Sequence, residues 1–158
     1  MNKIELRVEK EALPLDKALL RKIVRATLAA AGFNDVELSV YVCDPERMRG
    51  INAEWRGKDR PTDVLSFSQI EGPQEGFTGG MLGDLVLCSD VARAQATENG
   101  LSYEEELLRL VVHGIAHLAG FDHETGAADA KKMRAEEERV RKIVEAVFAR
   151  KKSAQEKG

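Results

Sequence analysis

The chain has 158 residues, with 24 Lys+Arg against 27 Asp+Glu and a formal net charge of −3. A single domain of this length buries about 68–70% of the surface its unfolded chain exposes, enough for a core without staples. The composition excludes a globally basic nucleic-acid binder, the absence of any run of 18 apolar residues excludes a membrane-spanning helix, and two cysteines 45 positions apart exclude a disulfide framework.

Residues 3–9 set Ile4, Leu6 and Val8 between charged side chains, the pattern of a half-buried strand and not of a charged-then-apolar leader. The protein is therefore expected to be soluble and cytoplasmic, with Cys43 and Cys88 as buried thiols and no membrane partner. After Pro14, residues Leu20, Ile23, Val24, Thr27, Leu28 and Ala31 recur at helical spacing until Gly32. Val36–Val42 predicts a second strand. Asp44 followed by Pro45 is an N-cap with proline at the first helical position, opening a short helix to about Trp55.

Arg56–Thr62 reads as a polar loop, Val64–Phe67 as a third strand, Glu71–Gly80 as a long Gly-rich connection and Leu82–Cys88 as a fourth strand. Ser89 or Asp90 is the expected cap of the next helix, which Gly100 ends. Ser102 with Glu105 three residues on is a capping box, and the helix behind it is apolar on nearly every side, from Leu107 and Leu108 to Ile115 and Leu118. This predicts a buried central helix. The last helix, roughly Ala127–Lys151, carries Val140, Ile143, Val144, Val147 and Phe148 on one stripe, and its run KKMRAEEERVRK reads as a solvated face. Strands and helices interleave without strict alternation. The expected fold is a single α+β domain over residues 1–152, a four-stranded mixed sheet with flanking helices and a metal-binding central helix, followed by a polar tail at 153–158.

All three histidines of the chain fall in one window, HGIAHLAGFDH, from His113 to His123. His113 and His117 are four apart, so on a helix both imidazoles reach one ion, and Gly120 lets the chain turn so that His123 comes back to it. Three neutral imidazoles suit zinc best among the common metals, and they leave a fourth position open, the mark of a catalytic ion. A closed structural site instead needs a fourth ligand, for which Cys43, Cys88 and Asp122 are the candidates. Metallopeptidases with a helical histidine pair carry a Glu after the first His as general base; Gly114 stands there, and Glu124 is no clear substitute. A bound metal delivers hydroxide without a side-chain base, and a phosphodiester is then a plausible target because its cleavage needs positive charge at the reacting oxygens. A local basic stretch, Arg47, Arg49, Arg56, Lys58 and Arg60, suits such a substrate or is an ordinary solvated loop.

HGIAHLAGFDH, with WRGKDRPTDVLSF from Trp55 to Phe67 and MLGDLVLC from Met81 to Cys88, resembles the YbeY family of bacterial endoribonucleases, and the three blocks stand in the family's order. The resemblance spans Val36 to about the middle of the last helix. It implies a zincin-like fold, one zinc ion held by His113, His117 and His123, and a single-strand-directed endoribonuclease acting in 16S rRNA 3′-end maturation and ribosome quality control, with the 16S precursor and the small subunit as partners. It also implies that Arg56 is the arginine near the metal needed for activity; its fork can grip phosphate oxygens while Lys58 and Arg60 extend the positive field as substrate-binding residues. Asp84 is a candidate for orienting a ligating imidazole. Where many relatives have Tyr and Pro, this chain has Phe121 and Ser68. Two other readings stand beside this one: a metallohydrolase of peptides or small esters, and a ribosome-assembly binding protein with a structural zinc.

Overall fold

Nine elements follow one another in the computed structural model, which describes residues 1–70, 72–74 and 76–157, with side chains as far as Arg150: β1 (Lys3–Val8), α1 (Lys17–Ala30), β2 (Glu37–Cys43), α2 (Pro45–Arg56), β3 (Val64–Ser68), β4 (Met81–Cys88), α3 (Ser89–Glu98), α4 (Tyr103–Leu118) and α5 (Ala127–Lys157). The sheet runs β1-β2-β4-β3, with β1, β2 and β4 parallel and β3 antiparallel to β4 at the edge. This is the expected α+β domain with a mixed four-stranded sheet.

The sheet separates two apolar clusters. The larger packs Leu38, Val40, Leu85 and Leu87 against Leu20, Ile23, Val24 and Leu28 of α1, Leu107, Leu110, Val111, Ile115 and Leu118 of α4, and Val140 and Val144 of α5. The smaller holds Cys43, Met48, Val86 and Cys88 under α2. Strand alternation sends Leu85 and Leu87 to one cluster and Val86 and Cys88 to the other.

Local chemistry sets most boundaries as expected. Asp44 caps α2 by accepting from the Arg47 amide at 2.7 Å, with Pro45 at the first position, and Gly57 ends the helix in the left-handed region at φ 68°. At α4, Ser102 Oγ accepts from the Glu105 amide and the Glu105 carboxylate accepts from the Ser102 amide, each at 3.1 Å. Ten of the sixteen residues of α4 are buried, so the central helix is the core's main stave.

Four expectations are corrected. Neither Ser89 nor Asp90 caps α3; Cys88 is the cap residue without a side-chain bond, because the Asp90 carboxylate instead accepts from the Leu13 amide at 3.2 Å. Arg56 belongs to the last turn of α2, not to the loop. Ile143 leaves the apolar stripe and is 40% exposed, since α1 and α4 contact only the side of α5 that carries Val140 and Val144. Helix α5 runs on through Lys157, because Ala154, Gln155 and Glu156 favour helix and no Gly or Pro interrupts them before Gly158, which lies outside the described residues.

Candidate metal centre

The site begins with the way α4 approaches the sheet. Gly114 lies so close to β4 that a Cβ there would overlap Leu85 Cδ1 and would meet Val64 Cγ2 of β3 at 3.4 Å. Glycine is what allows the contact, and it sets the helix down with His113 and His117 facing along the β3 edge. Beyond Leu118, Gly120 turns the chain at φ 99° and returns His123 to the other two histidines. The ring centroids form a near-equilateral triangle, 4.8 Å from His113 to His117, 5.1 Å from His117 to His123 and 5.3 Å from His113 to His123. One nitrogen from each ring lies within 4.8 Å of the others, so the three form a group able to hold a metal ion.

The chemistry of these donors fits a metal. Burial holds the His117 pKa below the ordinary histidine value, and the neighbouring His113 and His123 push it the same way, so His117 is neutral at pH 7 as a ligand must be. Glu137 Oε2 stands 3.4 Å from His113 Nδ1, with both side chains about three-quarters covered. A carboxylate on Nδ1 fixes the ring and leaves Nε2 for an ion. Sequence reasoning misses this residue: Glu137 sits in the charged run that reads as a solvated face, and that run also hides the fully buried Met133. Its only signal is the helical pitch that puts Met133 and Glu137 on one side of α5.

The proposed fourth ligands do not join the group. Cys43 and Cys88 are buried on the opposite face of the sheet, where burial pushes the Cys43 thiol up to about 12 and raises Cys88 as well. Asp122 lines the same cleft as the histidines, but its Oδ1 accepts from the Glu124 amide at 2.9 Å. Asp84 does not reach an imidazole. It stands one residue out of phase with Leu85, away from α4, and accepts a hydrogen bond from Gln69 Nε2.

The histidines open into a cleft of about 740 Å³ that Arg56, Lys58, Arg60 and Arg109 also line. Arg56 Nη2 donates to the Ser66 carbonyl at 2.7 Å, and its guanidinium carbon lies 5.0 Å from the centre of the Phe67 ring. These two contacts hold the arginine on β3, at the wall of the cleft. Lys58 and Arg60 follow on the loop, which Asn52 pins by donating to the Arg60 carbonyl at 2.8 Å. Arg109 reaches across from α4, pairing with the fully buried Glu106 and standing 3.6 Å from Asp63 at the loop's end. The cleft thus carries four cations, with Asp63, Asp122 and Glu124 as its acids.

Residues 3–145 match the family model described as Endoribonuclease YbeY. The chain belongs to this family. Endoribonuclease YbeY of Sulfurihydrogenibium sp. is 48% identical over 132 residues, covering 84% of this chain and 86% of that protein. Endoribonuclease YbeY of Aquifex aeolicus is 45% identical over 135 residues, covering 84% and 85%. A solution structure of a Thermotoga maritima protein superposes with a TM-score of 0.64 at 27% identity, over 96% of this chain and 93% of that one. The match to the YbeY model spans the three histidines, the basic loop and Glu137 alike.

Proposed function

We propose that this protein is a metal-dependent endoribonuclease that cleaves single-stranded RNA, with zinc, one ion per chain, as its metal. The observation that carries the reading is the three-histidine group opening into a cleft walled by arginine and lysine, with glycine where a peptidase needs its glutamate. A zinc ion held by His113, His117 and His123 would supply a Lewis acid and lower the pKa of a water toward about 7. His113, His117 and His123 are the ligands, and Glu137 steadies His113 through Nδ1. Arg56 is the catalytic cation. One of its donors is spent on Ser66, which fixes the side chain, and the remaining N–H groups of the fork are available to phosphate oxygens. Lys58 and Arg60, on the loop that follows Arg56, bind neighbouring phosphates, and water does not need a protein base. Membership in the YbeY family supports 16S rRNA precursor and the small ribosomal subunit as the physiological substrate and partner, in 3′-end maturation and quality control. A cytoplasmic location accords with this, and among the described residues no helix is long and apolar enough to cross a membrane.

The test is cleavage of a single-stranded RNA and of its duplex by zinc-loaded protein, run beside a peptide library and a chelator-treated control. RNA cleavage that needs the metal and is absent from His117→Ala supports the reading; peptide hydrolysis, or RNA cleavage that survives chelation, overturns it.

A further inference from the structure

We propose that Trp55 is a stacking platform for an unpaired nucleobase of the RNA strand that occupies the metal cleft. This rests on the nuclease reading above and adds to it the group that recognises the substrate's lack of pairing. Trp55 is the chain's only tryptophan, stands in the last turn of α2 and is 65% exposed. Tryptophan is highly buried on average, and an exposed indole beside a cleft offers an amphipathic surface on which another ring can stack. Its ring meets Phe67 in an edge-type contact, with centroids 6.1 Å apart and planes at 65°, which braces the indole and leaves ring surface open to solvent. Phe67 lines the cleft that holds the histidines, and its ring carries the Arg56 guanidinium 5.0 Å from its centre. Arg56 is itself tied to β3 through Ser66. Trp55 and Arg56 therefore both pack on the Phe67 ring, and through it the indole is held beside the cleft.

The neighbouring charges say what that occupant is. Arg56, Lys58 and Arg60 line the adjoining cleft and offer sites to a phosphate backbone, while the exposed indole packed on Phe67 of that cleft offers a π-face. Cations beside an open aromatic face are the components with which proteins hold single-stranded nucleic acid, because every base has a π-face and only an unpaired strand can present it. A duplex keeps its bases stacked on each other and has none to give. Trp55 thus makes the cleft prefer single strands without reading sequence.

The sole tryptophan is also the reporter. The zinc-loaded full chain is titrated in the cold with a single-stranded 12-mer RNA, an abasic strand of the same length and charge, and a blunt duplex. Tryptophan fluorescence and the polarisation of a dye on the nucleic acid are read together. The expected result is quenching by the single strand alone. Trp55→Ala weakens the single strand about 5- to 150-fold, the range of a lost base–aromatic stack, and leaves the abasic strand's affinity unchanged. Trp55→Phe, which keeps a π-face, retains most of the affinity. Binding seen by polarisation without quenching, equal quenching by the abasic strand, or wild-type affinity in Trp55→Ala each overturns the platform and leaves the nuclease reading standing. No binding of any RNA overturns the nuclease reading itself, and the platform with it.

Discussion

Gly114→Ala adds one methyl group at the point where α4 lies on the sheet. In an open helix this change would stabilise by about 1 kcal/mol, because alanine is the better helix former. Here the new Cβ overlaps Leu85 Cδ1 and touches Val64 Cγ2. Leu85 is fully buried between the sheet and α4 and has nowhere to swing, so relief must come from the helix lifting off β4. Overpacking of this kind costs about 1–3 kcal/mol, and at the upper end of that range the net loss is about 2 kcal/mol. For a domain of this size that lowers Tm by roughly 4–8 °C. Lifting α4 also spreads His113 and His117 from His123, so metal affinity should fall with stability. The assay is urea and thermal unfolding of the metal-free protein, followed by zinc competition against a chelator. A second background isolates the clash: in Leu85→Ala, which by itself costs about 2–5 kcal/mol, Gly114→Ala should turn neutral or stabilising. A Gly114→Ala protein as stable as the wild type, or one whose cost is the same in both backgrounds, would falsify the close-approach argument.

His117→Ala removes one of three donors, so metal content measured on the purified protein should drop sharply; full occupancy would show that the ligand set is wrong. Glu137→Gln should keep the fold and lower zinc affinity about 10- to 100-fold by chelator competition, and unchanged affinity would leave the 3.4 Å contact to His113 without consequence. Arg56→Lys should retain metal and lose most single-turnover RNA cleavage, with Arg56→Glu worse; wild-type rates from Arg56→Glu would remove it from the mechanism. Cys43, held at a pKa of about 12 by burial, should react with an alkylating reagent at pH 8 about 1000-fold more slowly in the native than in the unfolded chain. Because the folded value is the higher one, its contribution to stability is full below the unfolded pKa and is lost as pH rises from about 9 toward 12, which alkaline unfolding curves measure. A stability flat across that window contradicts the burial of the thiol.

The candidate metal site was legible because its signal is local: three histidines in eleven residues, a pair at helical spacing, and a glycine where the chain must turn. The caps at Asp44 and Ser102 were legible for the same reason, each being a bond between residues three apart. What sequence hid depends on partners far along the chain. Glu137 meets His113 across 24 residues, and within its own helix it is one acid among several. Asp90 has the composition of a cap, but an unpaired amide 77 residues away claims it. Glu106 is one of three acids in the first turn of α4, yet it is fully buried and holds Arg109 toward the basic loop. Ile143 keeps perfect helical phase and is exposed all the same, because periodicity tells which side of a helix is apolar and not how wide its neighbour is.

Strand β3 forms one edge of the sheet and also one wall of the metal cleft. An edge strand offers unpaired carbonyls and amides, and an extended peptide binds such an edge by adding itself as a further strand. In this cleft Arg56 already answers the Ser66 carbonyl, and the Phe67 ring lies under the same guanidinium. A polypeptide laid along β3 would find that acceptor taken and a fixed positive charge in its path. A polyanion would find the charge and need no backbone ladder. On the proposed nuclease reading, the same side chain would discriminate between two kinds of polymer before any bond is broken, by closing the edge to one and presenting its fork to the other.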